Sequence, residues 1–405
     1  MSEPNPQAHD RAAATARIPA VVLGPKPPDP EYGYFDGAGH ASSRGELIQR
    51  LRDGQPTPYV WTPETEGVVH SWAVPYLFEA FRDQRIRNSR RLAITWTVVA
   101  LLAFGYAAFF RATFEFIDPF VLGGFVAASL SFYSWLEWGR FRRLTPQRLA
   151  ADVKDARERL PPRRGAARYT QAVAGCIAAV VIVQSVCALW QGNGIHLPII
   201  PGSPSNVPSV EAAGMVRAAI KEWHEWWRLL SGAFLHDGLL HFGMNTLALL
   251  AIGRFLEAYA HRAYVPLVFL LTALAASTAS FFFSPADASV GASGGVLGLF
   301  GFLAVMARVR RHMLPPGFGR AIVADIAVVA AMGIFGWGYV DNAAHAGGFL
   351  AGAALGWLMI PRGGRTPYWE PSQPIRVLGD VSLGILVLAA LFTSAMLVMR
   401  VIIWP

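Results

Sequence analysis

The chain has 405 residues, of which 53% are hydrophobic and only 15% charged, with a formal net charge of +8. Soluble domains carry about 25% charged residues, so the composition excludes an ordinary soluble enzyme and indicates a polytopic membrane protein. The positive balance does not point to nucleic acid: Arg and Lys gather in loops beside apolar runs, where they set membrane orientation.

In chain order, residues 1–90 are polar and punctuated by Pro and Gly. Roughly the first 40 read as disordered, with short amphipathic helices expected at Gly45–Asp53 and Ser71–Arg82. Trp61, Trp72 and Tyr76 suggest a small packed module or contact with the membrane surface. Met1-Ser-Glu-Pro-Asn-Pro lacks the apolar core of a signal peptide. Arg11–Arg17 is rich in Arg and Ala, but Glu3, Asp10 and the prolines argue against a transit peptide.

Apolar runs approaching the roughly 20 residues that cross a bilayer then begin. Residues 91–138 form a two-span hairpin, Leu92–Phe110 and Phe120–Trp138, around a turn holding Arg111, Glu115, Asp118 and Pro119. A basic linker at 139–168 follows, with Arg140, Arg142, Arg143, Arg163 and Arg164 among its cations and a helix expected from Pro146 to Leu160. A second block, 169–361, holds Thr170–Trp190, Leu239–Tyr259, Tyr264–Phe283, Gly291–Val309, Ala321–Tyr339 and His345–Ile360. The last segment, 362–405, carries Val377–Ile403 and brings the expected spans to nine. Cys176 and Cys187 fall on one span. At about 1.5 Å of rise per residue they lie about 16 Å apart, too far for a disulfide.

Short-loop Lys and Arg follow one pattern. Arg82–Arg91, the linker, the Arg308–Arg320 loop and Arg362, Arg365 and Arg376 all fall on one side if the amino terminus is cytoplasmic. The carboxyl terminus is then non-cytoplasmic, and Ser293 and His345 both come out near the non-cytoplasmic face.

Those two residues carry the chemistry. Gly291-Ala-Ser293-Gly-Gly295 fits the G-x-S-x-G pattern of a nucleophile. A serine needs a neighbouring base, and His345 opens a second apolar run in Ala344-His-Ala-Gly-Gly348. Gly348, Gly352 and Gly356 recur four apart on that run, and Gly294, Gly298 and Gly301 line the Ser293 run. Small residues at that period let helices approach closely, which could bring the two side chains within hydrogen-bond reach. His236 and His241 flank the start of another span. His241 and Asn245 are i and i+4, share a helix face, and could donate to a developing oxyanion. No nearby carboxylate or cysteine completes a metal set with them, so neither metal nor cofactor is expected. Asp341 reads as a loop or capping residue rather than a third catalytic group.

Together these residues resemble the rhomboid family of intramembrane serine proteases. The matching elements run in the family's order across roughly residues 170–360: Trp227-Arg228, then His236, His241 and Asn245, then Gly253 and Glu257, then Gly291-Ala-Ser293-Gly294, then Ala344-His345-x-x-Gly348-x-x-x-Gly352. The resemblance implies an all-α polytopic bundle with a six-helix core, here extended by an amino-terminal hairpin and one carboxyl-terminal helix. It implies Ser293 as nucleophile and His345 as general base. His241, Asn245 and the Ser293 amide would form the oxyanion hole, with His236 auxiliary near the water entry and Glu257 structural. The region 191–235, with Trp223, Trp226 and Trp227, would be a membrane-dipping first loop, and residues 284–290 and 340–344 would border substrate and water access. Many members carry an aromatic four residues after the serine, stacked on the histidine; Leu297 stands there.

The leading expectation is a hydrolase cleaving transmembrane protein substrates through an acyl-enzyme, within a lipid bilayer and without nucleic acid. The Ala-, Arg- and Gly-rich composition suggests a bacterial plasma membrane; oligomeric state and substrate are unknown from sequence. One alternative is a rhomboid-fold pseudoprotease that binds membrane proteins without cutting them, against which both Ser293 and His345 are present. The other is a transporter with a midplane site, against which stand the lack of an inverted repeat and the shallow placement of Ser293.

Overall fold

The computed structural model describes residues 24–35, 38–55, 57, 59–110, 119–158, 166–191, 207–311, 313–314, 317–335, 340–362 and 368–404. It separates into two compact units, Met1–Phe109 with Leu122–Glu158, and Phe110–Val121 with Arg159–Pro405. Arg11–Arg17, the turn residues Arg111, Glu115 and Asp118, and Arg163 and Arg164 lie outside the described residues.

In the first unit, β1 (Gly33–Phe35), β2 (Gly39–Ala41), β3 (Tyr59–Trp61) and β4 (Val69–His70) form an antiparallel sheet in the order β2-β1-β3-β4. Tyr34, Val60 and Val69 pair across the ladders and share one face. That face packs on Leu47 and Leu51 of α1 (Arg44–Arg52) and on Leu77 and Ala80. Ser43 caps α1, its hydroxyl accepting from the amide of Glu46, the serine half of a capping box. On the opposite face Trp61 is buried, its indole N–H donating to Pro30 O at 2.8 Å. Composition alone reads roughly the first 40 residues as disordered, whereas Gly33–Phe35 and Gly39–Ala41 form β1 and β2. Three-residue strands carry too little alternation to register as a period.

The helix expected at Ser71–Arg82 and the span expected from Leu92 are one element, α2 (Pro75–Phe110). No Gly or Pro interrupts Tyr76–Phe104, and Arg and Gln are good helix formers, so the basic stretch between them continues the helix. α3 (Pro119–Arg142) returns alongside α2. Thr97 and Ser131 share a 2.6 Å hydrogen bond, Ser131 Oγ donates to Ala93 O, and the Trp135 indole donates to Thr97. Such hydroxyl links hold apolar helices that lack a hydrophobic drive to associate. α4 (Pro146–Glu158) ends the unit; residues 159 and 160 of the expected helix lie outside the described residues.

The second unit is built on α5 (Arg168–Trp190), α9 (Leu239–Tyr259), α10 (Tyr264–Phe283), α11 (Ser293–Val309), α12 (Phe318–Phe335), α13 (Asn342–Met359) and α14 (Gln373–Leu397). α14 continues as a π-helix over Val398–Ile403. Every expected span has a helix, though α12 starts three residues early and residues 336–339 fall outside the described set. Among the described residues, four helices are long and apolar enough to cross a membrane: Arg168–Trp190, Leu239–Tyr259, Tyr264–Phe283 and Gln373–Ile403. α11, at 17 residues, is shorter. The chain is an integral, multi-pass, all-α membrane bundle, and the small sheets lie in its non-spanning segments. Cys176 and Cys187 are both free.

Between α5 and α9 the chain forms α6 (Val207–Ala213), β5 (Met215–Val216), α7 (Arg217–Trp223) and α8 (Arg228–Ser231). β5 pairs antiparallel with β6 (Ala288–Ser289), just ahead of Ser293.

At the centre, α11 packs against both α10 and α13. A side chain on Gly348 would overlap the carbonyl oxygen of Gly294, and one on Gly352 that of Gly298. The backbones of α11 and α13 therefore touch directly, as the glycine period predicts.

Candidate active site

Three elements deliver the site. Ser293 is the first residue of α11, so its amide has no acceptor within the helix. His345 lies in the first turn of α13 rather than at its first residue. Asp341 caps that helix, accepting from the Ala344 amide at 2.9 Å and from the Ser280 hydroxyl of α10. Asp341 thus positions α13, the capping role read from sequence. The glycine contacts of α11 and α13 then set the remaining distance, and His345 Nε2 sits 2.9 Å from Ser293 Oγ. In the tautomer that accepts at Nε2, the serine hydroxyl is the donor. Both residues are half-buried.

His241 and Asn245 face the residues ahead of Ser293. Gly291 has φ +126°, a region L side chains rarely adopt. A Cβ there would lie 2.6 Å from His241 Cε1 and 3.7 Å from Asn245 Nδ2. Only glycine lets the turn pass this close to the two side chains. Asn245 is 8% exposed, and its Nδ2 is buried without a hydrogen-bond partner among the described residues. An unpaired buried donor costs about 1–3 kcal/mol, and here it lies beside the turn that presents the serine. His236 is 2% exposed, its ring 5.0 Å from that of His241 in a T-shaped pair. The structure therefore gathers all five expected residues, with His236 one ring behind His241.

Sequence reading missed several supports. Gln184 of α5 grips the His236 backbone from both sides, donating to its carbonyl at 3.0 Å and accepting from its amide at 3.2 Å. A lone amide in an apolar run was the available signal. Arg217 donates to the carbonyls of Ser284 and Ala286, and its own amide bonds Asp287 O, tying the segment before Ser293 to the first loop. The Gly291 amide donates to Gly232 O at 2.9 Å. These are long-range backbone pairings with no local sequence pattern.

Glu257 accepts from both the amide and the hydroxyl of Thr170 at 2.7 Å, capping α5 where Gly253 leaves room for the threonine. Arg228 is 1% exposed and donates to the carbonyls of Gly214 and Glu211 and to Glu225. Trp227 packs edge-on against Phe392 of α14. Leu297 is buried, and among the described residues no aromatic ring pairs with His345.

Parts of the chain are similar to known proteins. Residues 223–362 match the Rhomboid domain model, and residues 79–173 match the model of the Rv2743c family. The chain is 36% identical over 169 residues to "Rhomboid protease GluP" of Bacillus subtilis, covering 41% of this chain and 32% of that protein. It is 35% identical over 154 residues to "RHOMBOID-like protein 2" of Arabidopsis thaliana, covering 37% and 47%. It is 32% identical over 169 residues to "Rhomboid-related protein 2" of Mus musculus, covering 39% and 56%. The chain thus spans about a third to somewhat over half the length of these relatives. The matched segment contains the site residues from His236 to His345, so this part of a multi-pass membrane protein is similar to the Rhomboid domain.

Proposed function

We propose that this chain is an intramembrane serine protease that hydrolyses peptide bonds in or near transmembrane segments of membrane proteins. The observation that carries the reading is the 2.9 Å approach of His345 Nε2 to Ser293 Oγ beside the Gly291 turn, with the unpartnered Asn245 amide alongside. One relative, "Rhomboid protease GluP", is named as a protease.

Ser293 Oγ attacks the substrate carbonyl carbon while His345 Nε2 takes its proton. The carbonyl oxygen becomes an oxyanion and accepts from Asn245 Nδ2, from His241 and from the free amide of Ser293. Donors already fixed toward that position stabilise the transition state without reorganising. The imidazolium then gives its proton to the leaving amine, which departs and leaves an acyl-enzyme. Water, deprotonated by His345, attacks the ester and regenerates Ser293. His236, buried behind His241, borders the path by which that water arrives. No group beyond the chain's own residues is needed. The amino terminus lies in the cytoplasm, the carboxyl terminus on the opposite side, and the membrane is a bacterial plasma membrane.

The test is cleavage of a purified transmembrane substrate in liposomes by the wild type, Ser293→Ala, His345→Ala and the double variant. Each single variant should lose nearly all turnover, and the double should lose no more, because nucleophile and base act as a unit. Wild-type binding without cleavage would support the pseudoprotease instead. Multiplicative losses in the double variant would contradict the dyad.

A further inference from the structure

The carboxyl-terminal helix lies beyond the segment matched by the rhomboid model, yet it reaches the first loop, through Phe392 against Trp227 and through the cation Arg400. Arg400 donates to Glu225 through both terminal nitrogens, one of them at 3.1 Å, and to Ala212 O at 3.3 Å. Its guanidinium also lies 5.5 Å from the centre of the Trp227 ring. It stands in the π-helical segment Val398–Ile403, a distortion that often marks functional positions. Glu225 has a second partner, accepting from Arg228 Nε at 2.5 Å, and its side chain is only 13% exposed. The Arg400 fork, and after it Arg228, hold the Glu225 carboxyl below the usual carboxylate range. The cluster is therefore ionised throughout neutral pH.

A continuous route of contacts leads from that cluster to the nucleophile. Arg228 begins α8, and Gly232, which ends it, bonds Arg228 O through its amide. Gly232 O accepts from Gly291, and Gly291 lies against His241 and Asn245 two residues before Ser293. A shift of α8 is thus transmitted to the turn between the serine and its oxyanion donors. Arg228 cannot hold α8 in place alone, because its other two nitrogens bond carbonyls within the same loop. Arg400 is the part of the cluster that comes from a membrane helix.

We propose that Arg400 is a positioning residue for the Ser293 site, fixing the first loop through Glu225 so that Gly232 holds the Gly291 turn against His241 and Asn245. This rests on the protease reading, but the lever itself can be read without activity. Hydrogen exchange across residues 288–293 would be measured in wild type, Arg400→Ala and Arg400→Lys, together with melting temperature and the rate of fluorophosphonate labelling at Ser293. In Arg400→Ala the Gly291 amide should exchange faster, while α10 and α13 exchange as in wild type. Labelling should slow about tenfold, since about 1 Å of misplacement can cost up to a hundredfold. Lysine keeps the charge but not the two-pronged geometry, so Arg400→Lys should fall between the two. Wild-type exchange and labelling in Arg400→Ala would overturn the proposal. So would faster exchange spread over the whole unit in step with a lower melting temperature, in both variants, because that is a general loss of stability. Faster exchange confined to 288–293, in a protein whose wild type never labels, would support the lever and refute the protease reading.

Discussion

Trp61 and Gly352 belong to two regions packed by opposite means. In the amino-terminal module large side chains fill space on both faces of the sheet: Trp61 on one, and Tyr34, Leu47, Leu51, Val60 and Leu77 on the other, are all buried. Arginine planes cover its aromatic rings, Arg50 over Tyr34 at 3.9 Å and Arg44 over Tyr76 at 4.3 Å. Around Gly352 the membrane core removes side chains altogether, so that α11 and α13 meet backbone to backbone. Packing large apolar side chains together, as the module does, is driven by removing apolar area from water. Between membrane helices that drive is absent, and close packing of small residues replaces it. The glycine contact also sets the site, because the distance between the two backbones decides whether His345 reaches Ser293.

The comparison makes its sharpest claim at Gly352. Gly352→Val should abolish proteolysis and lower the melting temperature together, because the new side chain meets backbone rather than a movable neighbour. Thermal unfolding and substrate cleavage, measured on the same sample, check this; an active, stable variant would remove the basis of the contrast. The corresponding change in the module is Trp61→Ala. It should destabilise residues 24–85 by about 3–5 kcal/mol, as large-to-small core changes do, with proteolytic sensitivity of that segment as the readout. Unchanged protection there would mean that the burial of Trp61 does not stabilise the module.

Smaller effects separate the chemistry from the packing. Asn245→Ala should lower kcat by roughly tenfold and leave KM nearly unchanged, less than the 10²–10³-fold of a lone oxyanion donor because His241 and the Ser293 amide remain. A raised KM at constant kcat would instead make Asn245 a substrate contact. The smallest effect belongs to the module alone. Burial pushes the Tyr76 phenol up to about 12, above its unfolded value of about 10. The neutral phenol therefore contributes stability that is complete below pH ~10 and lost as pH rises toward 12. Tyr76→Phe should remove that alkaline component of module unfolding, and an unchanged alkaline profile would place the titration elsewhere.

Much of the membrane unit was legible because its information is local. The G-x-S-x-G string, the four-residue glycine period after His345 and the i, i+4 pair His241–Asn245 each sit within one helix. Asp341 was also readable as a loop or capping residue from its place shortly before His345. What escaped sequence reading is nonlocal or too short for a period. The strands around Trp61 have two or three residues each. The continuity of α2 was hidden because Arg82–Arg91 reads equally as an orienting loop and as an exposed helical face. The Gln184 grip on His236 and the Arg400–Glu225 pair join residues 52 and 175 positions apart, which no windowed pattern reports. Gly291 was visible as a motif letter, but its reason, a left-handed turn pressed against His241, needed the structure.

The central claim is that the glycine-set approach of α11 and α13 makes Ser293 a nucleophile. Its most direct measurement is reaction of the purified chain with a serine-directed fluorophosphonate, with mass spectrometry to locate the adduct. The geometry predicts a single adduct on Ser293, strongly slowed in His345→Ala and absent in Ser293→Ala. An unlabelled Ser293 in a folded wild-type protein, or labelling equally fast without His345, would contradict it.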